Sequence, residues 1–142
     1  MRRPRIWALI AAALALTACS AATSTPAQPV EVTLEAKEFA FSPAAIEVMA
    51  GQPVRLTLHN MGTLDHDFSI AAIPMAMPPA IENGGMDMDH SGDLPEMHVA
   101  TMMGQSNTVE FTPTEPGAYE FFCTVAGHKE AGMVGQLVVT AP

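Results

Sequence analysis

The sequence predicts an all-β fold, an antiparallel β-sandwich or barrel, and three observations support that class. Apolar and polar residues alternate with period two in several short runs, the pattern of strands that turn one face to a core. Proline and glycine punctuate those runs, and no sustained helical period intervenes, as expected of an all-β domain. Of the 142 residues, those after the first thirty are of one-domain length, enough for a sandwich core and too few for an enzyme with a separate cofactor domain.

The first strand reads from Val30, Val32 and Leu34, which alternate with Glu31, Thr33 and Glu35. Val54, Leu56 and Leu58 alternate with Arg55, Thr57 and His59, so His59 points to solvent and is not a candidate ligand. Phe68 and Ile70 continue a strand beyond His66, and Val109 and Phe111 begin another that ends at Pro113 and a Glu115-Pro116-Gly117 turn. Tyr119 and Phe121 share one face, Phe122 takes the other, and Val134, Leu137 and Val139 close the domain. From Pro74 to Gly104 the pattern fails. The segment reads as a long surface insertion and holds seven of the eleven Met residues (75, 77, 86, 88, 97, 102, 103) together with His90 and His98. Loops of that length are usually functional or disordered.

Met1-Arg-Arg-Pro-Arg5 and the apolar run that follows have the charged and hydrophobic regions of a secretory signal. Leu16-Thr17-Ala18-Cys19 resembles a bacterial lipobox, which implies a signal peptide over 1–18 and a lipidated Cys19 at the start of the mature chain. Ordinary cleavage at a small-residue site is the alternative. Residues 19–29, rich in Ala, Thr, Ser and Pro, form a flexible tether, and 30–142 form the domain with its insertion at 74–104. Without residues 1–18, Lys37, Arg55 and Lys129 are three cations against fifteen carboxylates, a net charge of −12. That surface disfavours nucleic acid and attracts cations or a basic partner, although acidity also serves solubility alone.

The run Tyr119-Glu-Phe-Phe-Cys-Thr-Val-Ala-Gly-His-Lys-Glu-Ala-Gly-Met133 carries the chemistry. Cys123, His128 and Met133 follow one strand and precede the next, so a turn between them lets a thiolate, an imidazole and a thioether converge. Soft sulfur with imidazole selects copper, and two His, one Cys and a long axial Met describe a one-electron copper site. His66 supplies the second imidazole. The competing readings are a Cys19–Cys123 disulfide, a catalytic Cys–His pair and Met133 as core filler. Within the insertion, Met86-Asp-Met-Asp-His-Ser-Gly92 resembles the Met-Asp-His-Ser repeats of periplasmic copper-resistance proteins. Met86, Met88 and His90 there are candidate accessory ligands for additional Cu(I), against a reading as packing filler. A calcium loop is rejected, because His98 stands where a bidentate Glu is needed and Pro95 interrupts the exiting helix.

Together these residues resemble the cupredoxin family, from about Val30 to Thr140. The likeness runs through Glu38-Phe-Ala-Phe-Ser-Pro43, Ala50-Gly-Gln-Pro-Val-Arg-Leu-Thr-Leu58, Asp65-His-Asp-Phe68 and the Cys123–Met133 loop, with spacing closer to its rusticyanin and auracyanin branch than to plastocyanin or azurin. The resemblance implies a Greek-key β-sandwich holding one type 1 (blue) copper at His66, Cys123, His128 and Met133. It also places Asp67 where the family commonly has an Asn tying the His strand to the Cys loop. Partners would dock on an apolar patch near His128, here Val125, Ala126, Ala131, Met61 and Leu64, interrupted by Lys129 and Glu130.

No carboxylate pair, nucleophile elbow, phosphate loop or complete triad is present in the sequence, so no enzyme activity is expected. The expected function is a monomeric, lipid-anchored one-electron carrier of the bacterial cell envelope, exchanging electrons with a redox protein such as a cytochrome or oxidase. Periplasmic copper capture, delivery or resistance through the Met/His loop is the alternative, and a metal-free interaction domain is the third reading.

Overall fold

The computed structural model describes residues 28–76 and 95–142. Ten strands run in the order β1 (Val30–Lys37), β2 (Ala40–Ser42), β3 (Ala45–Met49), β4 (Val54–Asn60), β5 (His66–Ile70), β6 (Met75–Ala76), β7 (Met97–Thr101), β8 (Ser106–Pro113), β9 (Gly117–Phe122) and β10 (Val134–Thr140). They form two five-stranded sheets, ordered β2-β1-β4-β8-β6 and β3-β10-β9-β5-β7. Among the described residues no helix is long and apolar enough to cross a membrane.

Alternation became burial as the pattern required. In β4, Val54, Leu56, Leu58 and Asn60 are buried while Arg55, Thr57 and His59 are only partly covered. Leu34, Leu56, Leu58 and Phe111 from one sheet meet Phe68, Ile70, Phe121 and Leu137 from the other, all at 0–1% exposure. Phe121 stacks edge-on against Phe41 at 5.3 Å and lies 5.1 Å from Phe68. Burying each such ring contributes about 1.5–3 kcal/mol, so the Phe41–Phe121–Phe68 row is a principal tie between the sheets. Outside, Arg55 donates to Glu110 and Glu31, its register partners on the strands either side.

Two expectations change. The pairing is not wholly antiparallel: β1 runs parallel to β4, and β3 runs parallel to β10. Alternation reports which face is buried and is blind to the direction of the neighbouring strand. The segment read as one surface insertion contains structure at both ends. Met75–Ala76 pairs with β8, and Met97–Thr101 pairs along its whole length with β5. Met97 and Val99 belong to the core. Met97-His-Val-Ala-Thr101 does alternate, but Ala at an exposed position and Met at a buried one weakened the contrast, and only the β5 partner decides the reading. Residues 77–94 lie outside the described residues, as do 1–27.

Gly135 marks the tightest point. A Cβ there would overlap the Phe121 ring and stand 2.7 Å from the Ala44 carbonyl, so backbone and ring occupy the space a side chain needs. Gly135→Ala should lower stability by ~1–3 kcal/mol through overpacking, measured by thermal and denaturant melts. A variant as stable as the wild type would mean that the Phe121 ring has room to move aside.

Candidate metal centre

The site is assembled where one sheet ends. His66 opens β5, and the loop before it is held by Asn60, fully buried, whose Nδ2 donates to the carbonyls of Leu64 (2.8 Å) and Thr101 (3.1 Å) and whose Oδ1 accepts from Gly62 N (2.9 Å). Gly62 leaves room there, because a Cβ would lie 2.9 Å from both Glu38 Oε1 and His66 Nε2 and one of those side chains would have to shift. Cys123 follows β9. The loop to Met133 is closed by backbone bonds of its own: His128 N to Val125 O, Met133 N to His128 O, and Cys123 N to Met133 O, at 2.9–3.2 Å. These bonds set the thiol, the second imidazole and Met133 side by side.

His66, Cys123 and His128 are 1%, 0% and 5% exposed, and Met133 is 0% exposed. One donor atom from each of the first three falls within 4.8 Å of the others. The Cys123 Sγ lies 3.4 Å from His128 Nδ1, and the two imidazole rings are 5.0 Å apart. Neither nitrogen of His66 has a hydrogen-bond partner. Buried polar atoms are rarely left unpaired, because each costs about 1–3 kcal/mol. Three inward donors, one ring wholly unpartnered, fit a metal ion at their centre: bonds of ~2.0–2.3 Å place two ligands of one ion at such separations.

The electrostatics agree with that reading. Burial, and then the neighbouring His128, push the His66 imidazole below its ordinary value, so it stays neutral and available as a ligand. Burial pushes the Cys123 thiol up, with the backbone amides around it opposing. A buried thiol held in its protonated form is the reverse of an activated nucleophile, which disfavours the catalytic Cys–His reading of Cys123.

Beyond the donors, Asp67 accepts from Thr124 N (2.9 and 3.1 Å), Thr124 Oγ1 (2.8 Å) and Ser69 Oγ (2.8 Å). Its Oδ2 is 3.7 Å from Cys123 Sγ. This carboxylate therefore makes the strand-to-loop tie expected at its position. Sequence reasoning missed Phe39 and Glu38. Phe39 adopts a left-handed backbone (φ 61) and sets its half-exposed ring edge-on against His128 at 5.3 Å. Glu38 accepts from Thr63 N and from Thr63 Oγ1 (2.8 Å). The Glu38–Pro43 likeness contained both but signalled no role for either, since both act through the turn between β1 and β2. Met61 and Leu64 are exposed nearby, while Lys129 leans away from them to Glu120 (2.7 Å) and over the Phe122 ring. Met86, Met88, His90 and Cys19 lie outside the described residues.

Comparison with known proteins agrees with this geometry. The Cupredoxin-like domain family model matches residues 8–139. The chain is 38% identical over 100 residues to the copper-resistant cuproprotein CopI of Rubrivivax gelatinosus, covering 70% of this chain and 59% of that one. It is 32% identical over 126 residues to Auracyanin-B of Chloroflexus aurantiacus, covering 82% of this chain and 54% of that one. It thus spans little more than half the length of either relative. A solved auracyanin B structure superposes with a TM-score of 0.59 at 25% identity, over 82% of this chain and 93% of that chain.

The metal-free protein should lose stability with acid in two stages. His66, lowered in the fold from 6.5, favours folding above that value and opposes it as pH falls below, where the unfolded chain binds the proton more readily. Glu38, lowered from 4.5 to about 2 by its bonds from Thr63, contributes stability above 4.5 that is lost as pH falls toward 2. Melts of Glu38→Gln across pH should lack the second stage and keep the first; an unchanged second stage would assign it elsewhere.

Proposed function

Because the chain belongs to the cupredoxin family, we propose that it is a type 1 copper protein that carries single electrons, with His66, Cys123, His128 and Met133 as its ligands. The convergence of three buried donors, with both nitrogens of one imidazole unpartnered, carries this reading. Bound copper supplies one-electron exchange between Cu(II) and Cu(I). Cys123 would hold the ion as thiolate after losing its proton, and His66 and His128 would hold it through neutral nitrogens, so loading should strengthen as pH rises. The backbone-bonded loop and the Asp67 tie keep the donors in place while charge changes, and burial excludes water. Met133 and the hydrogen bonds around Cys123 set the potential. This reading assigns no catalytic residue.

The signal-like start and Cys19 support a lipid-anchored protein of the bacterial envelope, outside the cytoplasm; intact mass of the mature chain should show an acylated Cys19 as its first residue. Phe39 beside His128, with Met61 and Leu64 exposed on the loop that leads to His66, supports an apolar docking face for a redox protein such as a cytochrome or oxidase.

Copper capture and resistance is the second reading, favoured by the likeness to CopI and by the Met86-Asp-Met-Asp-His90 run. A cage this buried suits electron exchange, whereas thioethers on an acidic segment suit Cu(I) collection.

Cu(II)-loaded protein should show an intense thiolate-to-copper band that Cys123→Ser abolishes and His59→Ala leaves unchanged. His59 lies on the outer face of β4 between Glu35 and Ser106. Colour surviving in Cys123→Ser would overturn the ligand assignment. Replacing Met86, Met88 and His90 together should preserve that band. If the second reading holds, the triple variant also loses a further Cu(I) equivalent and loads more slowly. Identical Cu(I) titrations for the two proteins would leave the electron carrier alone.

A further inference from the structure

His98 stands on the outer face of β7, directly across from Ser69 on β5. Its Nδ1 is 2.8 Å from Ser69 Oγ and 3.9 Å from Asp67 Oδ1. Ala100 faces Asp67 in the same register, and its small side chain leaves room for the imidazole to lean along the strand toward the carboxylate. The direction of the hydrogen bonds follows from the groups. Asp67 only accepts, so Ser69 spends its single proton on Asp67 Oδ1 (2.8 Å); Ser69 Oγ must then accept, and His98 Nδ1 must carry the proton. A continuous line runs from a solvent-reaching imidazole, through a fully buried hydroxyl and a buried carboxylate, to within 3.7 Å of the Cys123 sulfur.

We infer that His98 is the proton-coupling residue of the metal centre: it binds a proton from solvent more tightly when the centre gains an electron, and releases it when the electron leaves. This rests on the one-electron reading above. The electron comes from a one-electron donor protein or mediator and the proton from bulk water, so each reduction adds one negative charge at the centre and a partly compensating positive charge on His98. Asp67 and the Cys123 thiolate are two negative groups in contact inside the protein, and a cationic His98 offsets them. Histidine is the side chain whose ordinary charge change falls between pH 5 and 8. His98 opens on a cleft of about 440 Å³ whose titratable lining groups are Asp65, His66, Asp67 and His98 itself. The β8 residues that line it, Ser106 and Asn107, carry no charge, and Glu96, which flanks the strand, is bonded to Ile73 N. Asp67 is the charged group in contact with the imidazole. At on the order of 10 Å and an effective dielectric constant of about 20, one unit of charge is worth roughly tenfold in an equilibrium constant.

The test compares His98 directly in two diamagnetic forms of the whole protein, Cu(I)-loaded and Zn(II)-loaded, which differ by one charge at the centre. Proton titration followed at the His98 ring by NMR should show proton binding roughly tenfold tighter in the Cu(I) form. In redox titrations of copper-loaded protein the midpoint should fall as pH rises across the His98 transition. His98→Gln, which retains a neutral N–H donor for Ser69, should keep the visible spectrum and flatten that dependence. Equal proton binding in the two loaded forms, or the same pH dependence in His98→Gln, overturns the inference while leaving the electron carrier intact. Absence of any reversible one-electron couple would remove both.

Discussion

Asp67 holds the site together at the one place where its two halves, a strand end and a loop more than fifty residues away in sequence, have to meet. It is 3% exposed, and an isolated carboxylate so deep costs several kcal/mol. The cost is met by donors on both sides: Ser69 from its own strand, and the amide and hydroxyl of Thr124 from beyond the Cys123 bend. Those bonds place Cys123 relative to His66, and the distances from the His66 imidazole to the donors of the Cys123 loop depend on that placement. Asn60 performs the same task on the other flank, fastening the approach to His66 onto β7.

With those restraints in place, the donors are held close together by the protein's own bonds. His66 and His128 sit ring against ring, and His66 has no hydrogen-bond partner. A core evolved only for stability would satisfy or replace such groups, so this arrangement accepts a local cost for the sake of binding. Phe39 adds to it. A bulky side chain in a left-handed backbone is costly, yet the turn that imposes it lays an aromatic ring across the edge of His128. Glu38, the preceding residue, is bound to Thr63 at the opposite lip. The β1–β2 turn therefore closes one side of the centre, and the 60–65 loop meets it there.

The same carboxylate also connects the centre to the surface. Because β7 pairs along β5, the face that carries Asp67 and Ser69 is shared with His98 and Ala100. The outer face of the sheet thus supplies a polar line on the side opposite the apolar face that carries Phe68 and Phe121. Apolar packing within and a polar line without are compatible because they lie on opposite faces of the same sheet.

The sequence by itself determined β1, β4, β5, β8, β9 and β10, the faces of β4 and β9, the Cys123–His128–Met133 loop and the choice of His66 over His59. These follow from period-two alternation and from donor spacing, both of which are local. Alternation sufficed for His59 because Arg55, Thr57 and His59 are polar against three apolar neighbours. It failed for Met97–Thr101, where residue types blur the contrast and the strand exists because β5 offers an edge. The tertiary structure alone decided the two parallel pairings, the Phe39 cover, the Glu38–Thr63 bond and the His98–Ser69–Asp67 line. Each joins residues distant in the chain, and its physical basis is a shared face or a filled gap that no single segment encodes.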